Sequence, residues 1–173
     1  MRLALKNIIL LFLVALLCLE CGYHLRGTGS SLPSHVKKIS IPMFKNRTTR
    51  YELDLKLTRS VIDEFVARGV VEVISEDQTG DAVLTGEIIS FRVNPIGFTE
   101  AATADKYNIV VVAKIVLRDL AKRKVIYSNP NFVYQEEYEV PEGTDFETIE
   151  TEAVDKIAEK FARSVVITIL EGF

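Results

Sequence analysis

The chain has no tryptophan, two cysteines and two histidines in 173 residues, and each shortage closes off a class of function. Cys18 and Cys21 both stand near the amino terminus, so no disulfide within one chain can staple the domain that follows. Their C-x-x-C spacing superficially matches a redox or zinc motif, but no second ligand pair follows and Cys18 lies inside an apolar run. His24 and His35 have no cysteine or carboxylate cluster around them, which leaves no metal constellation. Neither belongs to a signature that pairs it with a nucleophile, and there is no G-x-S-x-G elbow. Gly27-Thr28-Gly29-Ser30 lacks the Lys-Ser/Thr pair and the preceding strand of a phosphate loop. Basic excess is missing too: the formal net charge is −3, which argues against a nucleic-acid partner. The expectation is a protein that is not an enzyme and holds no metal, with a periplasmic hydrolase kept only as the reading to check against.

What is present begins with a leader. Arg2 and Lys6 make a short positive segment, and Ile8 to Leu19 is an unbroken apolar run. Its length of about a dozen residues fits a secretory signal and falls short of the roughly 20 that a membrane span needs. Cys21 closes it. A cysteine there takes a diacylglycerol on its thiol and an acyl chain on its freed amine; at about 0.8 kcal/mol per buried CH₂, more than one chain makes a stable anchor. Glu20 stands where the cleavage box usually has a small residue and Cys18 where it usually has Leu, so an uncleaved anchor is the competing reading. Gly22 stands where lipoproteins kept at the inner membrane often carry Asp, which favours the outer membrane. The expected organisation is a signal peptide over 1–20, a lipidated tether over 21–35 and one domain over 36–173.

Within that domain, Val36 to Phe44 alternates and ends at Pro42, which reads as a first strand near a sheet edge. A helix follows to about Arg68, with Leu53, Leu57, Val61 and Phe65 recurring every four residues, joined by Ile62 and Val66. Thr49 and Glu52 are spaced for a capping box, and Gly69 for the left-handed end. Strands are expected over Val70–Ser75 and Ala82–Val93, the latter broken by Asn94-Pro95-Ile96-Gly97. Tyr107–Leu120 is rich enough in β-branched residues to suit a central strand covered on both faces. Val125–Val140 is another strand, interrupted at Asn129-Pro130. A second helix over Asp145–Leu170 carries Ile149, Ala153, Ile157, Phe161, Val165 and Ile169 at four-residue spacing. The fold class is therefore α+β: a two-layer sandwich, with two amphipathic helices on one face of a mostly antiparallel sheet of four to five strands.

Two stretches read as interaction surfaces. One is the basic loop with Lys45, Arg47 and Arg50, whose natural partners are phosphates and acidic sugars. The other is the loop from Asn94 to Lys106, which offers Ile96 and Phe98 to a partner.

Cys21-Gly22-Tyr23-His24-Leu25-Arg26-Gly27 closely resembles the start of mature LptE-type lipoproteins, the lipopolysaccharide-assembly subunits of the outer membrane. The resemblance continues through Leu32-Pro33, Ile39-Ser40-Ile41-Pro42, Phe44-Lys45-Asn46-Arg47-Thr48, the first helix and Asp81-Ala82-Val83-Leu84-Thr85-Gly86. It implies a lipid-anchored α/β domain on the periplasmic side, seated largely inside the lumen of an LptD-type β-barrel as plug and assembly factor. It also implies lipopolysaccharide as ligand, with cations at the tip of the middle hairpin contributing to contact. Here the matching stretch, Phe98 to Lys106, sets the single cation Lys106 against Glu100 and Asp105. The Lys45, Arg47 and Arg50 loop is then the substitute site. The alternative is a free-standing lipoprotein that binds an amphiphile or scaffolds another envelope complex.

Overall fold

The computed structural model describes residues 31–75, 79–100, 102–141, 144 and 146–172; the leader, Cys21 and the tether as far as residue 30 lie outside them. The elements are β1 (Lys38–Ser40), β2 (Lys45–Asn46), α1 (Leu53–Arg68), β3 (Glu72–Ile74), β4 (Ala82–Phe98), β5 (Ala104–Asp119), β6 (Lys124–Glu139) and α2 (Phe146–Glu171). The strands form one sheet in the order β3-β1-β4-β5-β6, with β2 also pairing with β4. β1 runs parallel to both β3 and β4, and β2 parallel to β4, whereas β4–β5 and β5–β6 are antiparallel. The sheet is mixed, which corrects the mostly antiparallel expectation.

Alternation decides which side is buried. Ala82, Leu84 and Ile88 of β4, with Ile109, Val111, Ala113, Ile115 and Leu117 of β5, are fully buried on one face. Both helices cover that face: Leu53, Leu57, Val61 and Phe65 of α1 are buried, as are Ala153, Ile157, Phe161, Val165 and Ile169 of α2. Phe161 meets Phe132 of β6 edge to face at 5.6 Å and Tyr134 at 6.4 Å. Val66, counted with the apolar stripe of α1, is instead exposed.

Four local expectations are corrected. β1 is flanked on both sides rather than lying at an edge, and Pro42 falls in the gap before β2, where no ladder donor is needed. The capping box does not form: α1 starts after Glu52, which sits at φ 58° with no side-chain cap. Asn46 and Thr48 hold the preceding loop instead, because Asn46 Oδ1 accepts from Thr48 N–H at 2.9 Å and Asn46 Nδ2 donates to Arg50 O at 2.7 Å. Asn94–Gly97 does not break β4, which runs to Phe98. Beyond Ile88 the strand pairs only with β5, so Pro95 costs no second ladder, and register shifts flank Gly97. β6 likewise passes through Pro130 with a register shift, as an edge strand can.

The lead-in to β1 is tied down at the base of the sandwich. Ser31 donates through N–H to Leu170 O at 2.7 Å and through Oγ–H to Ile169 O at 2.6 Å, filling carbonyls at the end of α2. The Asp81 carboxylate accepts the N–H groups of Lys37 and Lys38, each at 2.8 Å, and they hold its pKa below the usual 3.8. Asp119, buried, accepts from Lys122 N–H at 2.8 Å and contacts His35 Nε2 at 2.7 Å.

The tightest approach is between β4 and the segment before β2. Phe44 lies over Gly86, and its N–H is held by buried Thr58 Oγ1 of α1 at 2.9 Å. A Cβ on Gly86 would stand 2.5 Å from the Phe44 ring, closer than van der Waals contact permits. Gly86→Ala is therefore expected to destabilise the domain by about 1–3 kcal/mol in urea unfolding. Adding Phe44→Leu should recover part of that loss; full additivity of the two changes would show that the contact is not the cause.

Candidate functional site: the open face of the sheet

The face of the sheet opposite the helices has no second layer among the described residues, and its side chains are the alternate set. β5 is thus central but covered on one face only, which corrects the expectation of a strand buried on both. Its outward set is Val110, Val112, Lys114, Val116 and Arg118, and the two cations are exposed. Neighbouring strands complete the rows. Lys45 of β2 stands beside Glu87 of β4, which stands beside Lys114 of β5. Arg92 lies next to Val110 and then Gln135, while Val83, Arg118 and Val125 form another row.

Between Val83 and Arg92 this face gathers Lys45, Arg47, Arg92, Lys114 and Arg118 around the single carboxylate of Glu87. Arg47 Nε contacts Glu87 Oε1 at 2.7 Å. That bond, followed by the fields of Arg47, Lys114 and Lys45, keeps the Glu87 carboxyl below the usual 4.5. Arg92 and Arg118 have no carboxylate partner among the described residues. Single exposed pairs contribute little, but the sum is a basic patch on a chain whose net charge is negative. Toward the far end the character changes: Ile96, Asn108, Gln135 and Glu137 line a hollow of about 270 Å³.

The residues expected to act together are thereby separated. Lys45 and Arg47 are on this face, but Arg50 turns to the helical layer, where it pairs with Glu150 and lies 6.0 Å over the Phe91 ring. Lys106 stands beside Gly97, about ten residues along β4 from Lys45, or roughly 33 Å away. It is held by Glu139 at 2.9 Å and Glu137 at 3.7 Å. Ile96 and Phe98 are exposed, as expected, but on strand rather than in a long loop: only 99–103 connects β4 to β5. Lys114, Arg118 and Arg92 belong to no motif of the sequence. Their signal was the even-numbered placement of Lys114 and Arg118 among valines, which marks one side of the strand as wet.

Among the described residues no three His, Cys, Asp or Glu groups converge to hold a metal ion, and no helix is long and apolar enough to cross a membrane.

The charge of the patch is testable. Glu87→Gln should make the purified domain elute at higher salt from a sulfonate column at neutral pH, and Lys114→Gln at lower salt. Because the Glu87 acidity is strengthened, wild type and Glu87→Gln should converge only once the pH falls below 4.5. Identical elution of all three proteins would show that the face does not act as one field.

A sequence model of the LptE family, described as lipopolysaccharide-assembly, matches residues 36–169. Among curated proteins none matches. Solved structures share the fold at low identity. PelC of Paraburkholderia phytofirmans, crystallised as a dodecamer, is 16% identical, with 83% of this chain and 95% of that one covered and a TM-score of 0.55. A protein of Xanthomonas campestris is 12% identical over 84% and 92% of the two chains, also at 0.55. A hypothetical protein of Chlamydia trachomatis is 10% identical over 80% and 97%, at 0.53. The family match spans most of the chain, and the chain belongs to the LptE family of lipopolysaccharide-assembly lipoproteins.

Proposed function

We propose that this chain is the lipid-anchored subunit that plugs and helps assemble an LptD-type β-barrel of the outer membrane and assists insertion of lipopolysaccharide into the outer leaflet. The observation that carries the reading is a match to the assembly family over a domain whose sheet leaves one long face of valines, amides and cations uncovered. A barrel lumen is polar, and a plug needs such a surface rather than an oily one. The strands also outreach the helices. β4, at 17 residues, extends roughly 56 Å, against about 39 Å for the 26 residues of α2. Ile96 and Phe98 are exposed near the end of β4, where they are open to a partner.

Cys21 carries the N-acyl and S-diacylglycerol lipids in this reading and holds the domain at the periplasmic side of the outer membrane. Lipopolysaccharide phosphates are met at the margin of the open face by Lys45 and Arg47, both exposed. Arg50 turns to Glu150 on the helical layer and Lys106 is held by two glutamates far from Lys45, so both contribute less. Nothing in this role requires catalysis.

A pull-down of the full chain from its own membranes, with mass spectrometry of the amino-terminal peptide, tests partner and lipid together. The expected result is a large β-barrel protein in stoichiometric amount and an acylated Cys21 peptide. In parallel, Lys45→Glu with Arg47→Glu should weaken lipopolysaccharide binding by about tenfold or more. A monomer with no barrel partner at native expression would overturn the assignment, and unchanged lipopolysaccharide binding would remove Lys45 and Arg47 from it.

A further inference from the structure

The open face divides into a margin and a centre. Lys45 and Arg47 belong to the margin, on the short β2 and the loop after it. The centre is carried by the three long strands, and there Arg92, Lys114 and Arg118 stand exposed among Val110, Val112 and Val116. Large apolar side chains also surface here without cover, Val133 at 57% and Ile89 at 44% exposure. Arginines without a carboxylate partner, beside part-buried valines on a sheet face that has no second layer among the described residues, suit a protein interface. A site built for a small anion would instead converge its cations on one point.

Dimensions agree. From Val83 to Ile96 the three strands run roughly 43 Å, and side by side they span about 14 Å. The projected area is on the order of 600 Å² before β1 and β2 are added, against about 800 Å² a side in a standard interface. Charge selects the occupant. The centre holds three cations, and the only nearby carboxylate among the described residues, Glu87, is already bonded to Arg47. A second copy laid face to face with its strands parallel would bring those cations against their own kind, and an antiparallel copy would offer them only Glu137 and Glu139, already held by Lys106, which argues for a partner of opposite sign.

We infer that the centre of the open face docks onto a carboxylate-bearing surface of a partner protein, with Arg92, Lys114 and Arg118 as the recognition charges and the valines between them as the apolar contact. The inference rests on the barrel reading above, and the carboxylates then belong to the wall of that barrel. At the far end of the same face, Glu137 and Glu139 surround Lys106, so the charge reverses along the strands. Such a gradient fixes one direction of insertion, because the reverse orientation sets glutamates against the partner's acids.

The test uses the full lipidated chain, expressed with a carboxy-terminal tag in its own cells and extracted in mild detergent. Wild type should recover the barrel. Arg92→Glu/Lys114→Glu/Arg118→Glu should recover it at least about tenfold less well, while Arg59→Glu/Arg163→Glu, on exposed helical positions, should match wild type. The neutral triple Arg92→Gln/Lys114→Gln/Arg118→Gln, expected to give an intermediate loss, decides the matter if the glutamate triple fails to fold. Undiminished recovery by the folded triples would overturn the docking face and leave the barrel reading standing. No barrel recovered by wild type would end both. A wild-type dimer that the triples dissociate would give the face to a second copy and overturn the inference as well.

Discussion

Two helices can shield only one side of a sheet, and the register of β4 decides which side that is. Ala82, Leu84 and Ile88 point inward, and Gly86 keeps the same row open for the ring of Phe44. Because Phe44 comes so close, its chain can be fastened to Thr58 of α1, and α1 then lies beside α2 over the same side. A shift of one residue would send every one of these side chains to the other face. The packing of the whole helical layer therefore depends on a contact that glycine alone permits. Its counterpart is that Thr85, Glu87 and Arg92 point outward, with no layer to receive them.

Much of the helical layer was legible in the sequence because it is periodic. Leu53, Leu57, Val61 and Phe65 recur at one face of α1, and Gly69 ends the helix in the left-handed conformation, at φ 62°. What failed were judgements about proline and about cover. Pro95 and Pro130 look like strand breakers, yet each sits on strand where one edge has no neighbour, and edge position is a property of topology rather than of local sequence. The hydrophobic run of β5 looked buried on both sides because valine is common to buried and half-wet strands alike. Lys114 and Arg118 carried the contrary signal, at alternate positions among those valines.

The candidate site was legible only in part for a similar reason. Lys45, Arg47 and Arg50 are neighbours in sequence, but local bonds from Asn46 and Thr48 turn the loop so that Arg50 faces α2 while Arg47 faces Glu87. Lys114 is 69 residues from Lys45 and joins it only through the β2–β4–β5 row. Sequence motifs report cations that are close along the chain, whereas a sheet gathers them across it. The amino-terminal heptad points to the right family because its residues are contiguous, and the family match over 36–169 agrees with it.

The proposed role makes that face the working surface of the molecule, and photo-crosslinking tests this directly. A crosslinking amino acid placed at Thr85, Ser90 or Val133, all on the open side, should capture the barrel partner in cells. The same group at Arg59 or Asp155, exposed on the helices, should capture it weakly or not at all. Strong capture from the helical positions with none from the sheet would contradict the assignment.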